Sequence, residues 1–97
     1  MEKDTIIELL KQNQDYIESH GAVRIGLFGS YSRNLQTPYS DIDLIIDIRK
    51  DAKSFDNFMD LVYYLERLLG NEVDLITTDS ITPEVLNHIS KEVVYAY

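Results

Sequence analysis

Apolar residues change their spacing several times along this chain, and each change marks a predicted element. Ile6, Leu9, Leu10 and Ile17 recur at helical intervals, Gly21 ends the run, and Thr5-Ile6-Ile7-Glu8 has the spacing of a capping box. This predicts a first helix of about 14 residues. Val23 to Phe28 is a short apolar run that reads as a buried strand ending at Gly29. A second strand starts at Asp41, with Ile42, Leu44 and Ile46 on one face and both Asp41 and Asp43 on the other. Ser54 can cap a helix whose stripe is Phe55, Phe58, Met59, Val62, Leu65 and Leu69, closed by Gly70. Val73 to Thr77 alternates as a third strand, with Asp74 on the face opposite Val73 and Leu75. Thr82-Pro83 starts a third helix with Val85, Leu86 and Ile89 on its apolar side. Val93, Val94 and Tyr95 either add a short last strand or finish that helix.

Two polar interruptions carry the chemistry. Gly29 lets the backbone turn tightly and approach a ligand, and Ser30 then opens a short helix whose free N–H groups and hydroxyl suit a phosphate. Ten residues later come Asp41-Ile42-Asp43, two carboxylates on one sheet face. Asp74 supplies a third if its strand lies beside the second one. Three oxygen ligands suit a hard divalent cation, magnesium or manganese, that keeps positions open for water and phosphate oxygens. Asp47 shares the face of Asp43 but sits deeper along the strand, as a spare acid or structural partner. Arg33 has two readings, a contact to phosphate or a partner for a carboxylate that holds the loop. Tyr31 and Tyr39 flank the motif as pocket walls or as ordinary packing. His20 and His88 lie outside it and read as surface residues. Ser30 has no neighbouring histidine or lysine to activate it as a nucleophile.

Composition narrows the partners. The 97 residues predict one domain, 1–97, able to bury a core without staples. With 17 acidic against 9 basic residues the net charge is −8, which disfavours nucleic acid as a main partner and an anionic membrane alike. A basic protein surface, or an anionic ligand arriving with its own metal, stays compatible. No cysteine is present, so disulfides and thiolate chemistry are excluded and a reducing, cytoplasmic setting is the simpler expectation. The charged start, Met1 to Asp4, is no signal peptide, and no apolar run approaches the roughly 18 residues of a membrane span.

Leu27-Phe28-Gly29-Ser30-Tyr31-Ser32-Arg33, then Pro38, then Ser40-Asp41-Ile42-Asp43-Leu44 resembles the signature of the minimal nucleotidyltransferases of the DNA polymerase beta superfamily. Asn34 stands where these proteins often have glycine, and asparagine tolerates the left-handed backbone such a loop uses. The resemblance implies an α/β (α+β) fold of the polymerase beta-like nucleotidyltransferase type, a small mixed β-sheet backed by helices. It implies ATP or another nucleoside triphosphate as donor and transfer of a nucleotidyl group to a hydroxyl. By the same analogy Gly29 and Ser30, with Arg33 beside them, bind the nucleotide. Asp41 and Asp43 bind two magnesium or manganese ions, and Asp74 assists the ion that activates the acceptor. Proteins of this type often accompany a HEPN toxin, and some act as antitoxins by adenylylating a tyrosine of it. Two other functions fit the same residues: an idle antitoxin that neutralises its partner by contact alone, and a transferase acting on a small molecule such as an antibiotic.

Overall fold

The computed structural model describes residues 1–97. Its elements follow the order α1 (Lys3–Gln12), α2 (Gln14–Ser19), β1 (Ala22–Phe28), α3 (Gly29–Ser32), β2 (Ile42–Ile48), α4 (Phe55–Leu69), β3 (Val73–Thr77), α5 (Pro83–Ser90) and β4 (Val94–Tyr95). Short 3-10 turns at Lys50–Ala52 and Thr78–Ser80 precede α4 and α5. The strands form one mixed sheet in the order β3-β2-β1-β4. β1 is antiparallel to both β2 and β4, whereas β2 and β3 run parallel. The crossover through α4 makes that parallel pairing possible, since a short turn cannot return a chain in the same direction.

Alternation in the strands gives the sheet two different faces. Ile25 and Leu27 of β1, Ile42, Leu44 and Ile46 of β2 and Leu75 of β3 join Ile6, Leu10, Ile17, Leu61, Leu65 and Leu69 in one buried cluster. The helices α1, α2 and α4 therefore cover this face. Each fully buried side chain there contributes roughly 1.5–3 kcal/mol by its removal from water. Ile45 and Ile89 are also buried but stand outside that cluster, which places α5 over the opposite face. The acids occupy the part of this second face that α5 leaves open.

The first helix differs from expectation at both ends. Helix α1 begins at Lys3, with Glu2 as an N-cap that makes no side-chain bond, so Thr5 and Glu8 lie inside the helix and the capping box does not form. Nor is there one 14-residue helix, because the chain breaks at Asn13. The Asn13 amide nitrogen donates to the Leu9 carbonyl at 2.8 Å and its oxygen accepts from the Tyr64 hydroxyl at 2.6 Å, a competition with the helical backbone that asparagine is suited to.

Helix α4 matches its reading at both termini. The Ser54 hydroxyl accepts from the Asn57 N–H at 3.1 Å, and Gly70 ends the helix in the left-handed region. The predicted stripe is shifted, however. Phe55 is 77% exposed because it is the first helical residue, ahead of the turn that meets the sheet, while Leu61 is fully buried. Val85 of α5 is likewise exposed. Replacement of Ser54 by alanine is expected to lower stability by about 1 kcal/mol in urea denaturation, since one terminal N–H loses its partner.

Candidate active site

Strand register brings the two halves of the motif together. In the antiparallel pair Phe28 lies opposite Asp43, so the residue after Phe28, Gly29, turns directly over the Asp43 side chain. Gly29 has φ +74°, and a Cβ added there would lie 3.0 Å from Asp43 Cγ and 3.2 Å from its Cβ. Only glycine meets both demands, the left-handed backbone and the close approach. The loop between the halves closes on itself: Leu35 N–H donates to the Ser30 carbonyl at 2.9 Å, and Thr37 N–H to the Ser40 hydroxyl at 2.9 Å. Asn34 takes φ +57°, the left-handed conformation expected of it.

The parallel pairing of β2 and β3 aligns Asp43 with Asp74. Asp41 sits exposed just ahead of β2, which starts at Ile42. The three aspartates read from the sequence thus share one end of one sheet face. Burial, then the charges of Asp74, Asp41 and Glu92, push the Asp43 carboxyl up to about 6, with Arg33 opposing. None of the ion pairs in the structure involves these three aspartates. Uncompensated carboxylates gathered in this way fit a divalent cation, and an all-oxygen set fits magnesium or manganese. The side chains do not form a closed cage: no three acidic or histidine groups converge closely enough to hold an ion alone. Magnesium normally keeps several waters and takes phosphate oxygens alongside one or two carboxylates, and an open set suits that habit.

The flanking residues divide. Tyr31 is 4% exposed and its hydroxyl accepts from the Asn71 amide at 3.1 Å, so it packs; Tyr39 is 94% exposed and walls no pocket. Ser30 lies at the start of α3, as expected, half-buried. Arg33 takes the carboxylate reading in this structure, with Nε 3.4 Å from Glu92. Asp47 lies opposite Arg24 in the β1–β2 register and lines a separate cleft with it and Tyr95, away from Asp41. His20 bonds locally to the Tyr16 carbonyl at 3.2 Å, and His88 is exposed, so neither reaches the acids. Glu92 is the residue that sequence reasoning missed. It lies 63 positions from Gly29, and the only local sign was an acid just ahead of the last apolar triplet.

A model of the nucleotidyltransferase domain matches residues 4–96. The chain belongs to the nucleotidyltransferase family. This nucleotidyltransferase is 39% identical over 93 residues to a Methanocaldococcus jannaschii protein provisionally named a protein adenylyltransferase, covering 93% of each chain. It is 36% identical over 87 residues to the protein adenylyltransferase MntA of Thermococcus cleftensis, covering 90% of this chain and 87% of that one. Its fold matches a solved structure provisionally described as a minimal nucleotidyltransferase, with TM-score 0.84, 26% identity and coverage of 97% and 95%. A chain of a toxin-antitoxin crystal structure with AMP-PNP matches at TM-score 0.71 and 26% identity, covering 100% of this chain and 73% of that one. The mixed sheet with helices is the expected polymerase beta-like fold. No helix is long and apolar enough to cross a membrane.

Proposed function

We propose that this nucleotidyltransferase transfers AMP from ATP to a hydroxyl, most simply a tyrosine, of a partner HEPN toxin and so acts as its antitoxin. The observation that carries the reading is the alignment of Asp43 with Asp74 beneath Gly29, which sets carboxylates and a phosphate-suited turn against each other. Two relatives named as protein adenylyltransferases, and a related fold in a toxin-antitoxin structure with AMP-PNP, support the donor and the partner.

In this mechanism Gly29 and Ser30 hold the β- and γ-phosphates by backbone N–H and hydroxyl, with Arg33 adding charge from the loop. Two magnesium or manganese ions, held by Asp41 and Asp43 with Asp74 on the acceptor side, would supply charge neutralisation and an activated acceptor oxygen. The acceptor oxygen forms a bond to the α-phosphorus as the bond to pyrophosphate breaks, and the hydroxyl proton leaves to a carboxylate on the acceptor side or to water. Positioning does most of the work in such a displacement. The acceptor comes from the partner, and the net charge of −8 favours a basic docking face on it.

Incubation with ATP, magnesium and the product of the gene adjacent to this one is expected to add an adenylyl mass to that product. Absence of the increment, together with equal toxin rescue by wild type and Asp43→Ala, overturns the enzymatic reading. Rescue that survives the triple change of Asp41, Asp43 and Asp74 to alanine assigns neutralisation to contact alone.

A further inference from the structure

One contact at this site is made by the chain to itself. Glu92, in the turn between α5 and β4, accepts the Gly29 N–H at 3.2 Å with one carboxylate oxygen and lies 3.4 Å from Arg33 Nε with the other. Its side chain is 25% exposed, against 55% for Arg33, so the carboxylate is the better held of the two. Its own backbone is anchored: the Glu92 N–H donates to the Ile89 carbonyl at 2.9 Å, and Val94 and Tyr95 pair with Leu27 and Gly26. A backbone N–H and a guanidinium are the two donor types with which proteins take up phosphate. Here a carboxylate accepts from the first and pairs by charge with the second, whose Nε–H donates to the Gly29 carbonyl at 3.4 Å.

Glu92 also faces the site acids. Its charge belongs to the set of negative groups around Asp43, and only Arg33 opposes them. The Gly29 N–H and the Arg33 charge hold the Glu92 carboxylate beside these acids. A polyphosphate offers more charge and more oxygens to the same donors, and it brings cations that relieve the repulsion.

We propose that Glu92 is an internal phosphate mimic, which occupies the seat formed by Gly29 and Arg33 in the empty protein and is displaced by the β- and γ-phosphates of the nucleotide. This rests on the reading of Gly29 to Arg33 as the nucleotide seat. Glu92 thereby lowers the affinity for free nucleotide and keeps the turn ordered until one arrives. It is a positioning residue, since its role is exercised through Gly29 and Arg33.

The test measures dissociation constants of AMP-PNP and of AMP, each with magnesium, for the full chain and for Glu92→Gln and Glu92→Ala. Glutamine keeps an acceptor for the Gly29 N–H while removing the charge, so this variant is the one expected to fold unchanged. Its affinity for AMP-PNP is expected to rise about tenfold, the effect of one charge-assisted contact, while AMP, which lacks the displacing phosphates, changes less than about twofold. Wild-type or weaker AMP-PNP binding by a folded Glu92→Gln overturns the proposal, as does an equal gain for AMP. Failure of wild type and both variants to bind AMP-PNP at all overturns the nucleotide reading itself, a result distinct from either of those. Thermal melts on the same samples decide whether Glu92→Ala contributes, and Glu92→Gln decides the question if it does not.

Discussion

Asp43→Asn is expected to make the metal-free protein more stable while reducing nucleotidyl transfer by a factor on the order of 10³. The two effects share a cause. In the folded protein Asp43 titrates near 6 against an ordinary 3.8, first because of burial and then because Asp74, Asp41 and Glu92 surround it with like charge. A raised folded value means that the folded state holds the proton more tightly than the unfolded chain. Well below pH 3.8 both states are protonated and the group contributes no penalty. As the pH rises from 3.8 to about 6 the unfolded chain ionises freely while the folded one resists, and stability declines. Above that window the penalty is constant, about 1–2 kcal/mol once solvent screening of this partly exposed group is allowed for. Asparagine removes it. Melting in EDTA at pH 8 should therefore show the variant higher by roughly 4–10 °C, with the difference vanishing as the pH falls to about 3. A variant less stable than wild type at pH 8 would show that Asp43 is a structural acid rather than one kept strained for a cation. Added magnesium should stabilise wild type more than the variant, because only wild type carries the full charge to be neutralised.

Gly29→Ala should be among the most damaging single substitutions in the protein, costing about 2–4 kcal/mol in urea denaturation. Two terms combine. A φ of +74° strains any side-chain-bearing residue by about 1–2 kcal/mol, and the new methyl overlaps the carboxylate of Asp43. Rotation of that carboxylate does not clear the overlap, because Asp43 Cβ, fixed by the strand, itself lies 3.2 Å from the added Cβ. Gly70→Ala is the control. Its φ of +66° is similar but nothing lies within 4 Å of the added Cβ, so its cost should stay near about 1 kcal/mol. The difference between the two variants measures the contact with Asp43. Equal costs would mean that the turn at Gly29 yields readily and that its closeness to Asp43 is not built in. Nucleotide binding should fall with Gly29→Ala and not with Gly70→Ala, since only the first alters the proposed phosphate seat.

Helix α4, the three longer strands and the placing of Asp41, Asp43 and Asp74 on one sheet face were legible in the order of residues. Their signals are local: a serine cap three residues ahead of the N–H it accepts, a glycine that ends a helix, and alternation that assigns each side chain of a strand to a face. The Gly29-Ser30 and Asp41-Ile42-Asp43 spacing also implied a family, which the match over residues 4–96 bears out. The start and break of the first helix were not legible. Thr5 and Glu8 have the right spacing for a cap, but the helix extends past them to Lys3, and Asn13 is drawn out by Tyr64 from 51 residues away.

Local preference thus determined which residues form strands and helices, which face each carboxylate takes, and where the chain must turn without a side chain. Tertiary structure alone decided what stands beside what. The register of β1 on β2 put Gly29 over Asp43, the parallel pairing of β3 put Asp74 next to it, and the last turn carried Glu92 onto Gly29 and Arg33. The physical reason is that periodicity records how a segment meets water and core, whereas the neighbours of a charge are set by long-range packing, which leaves no spacing in the chain to read.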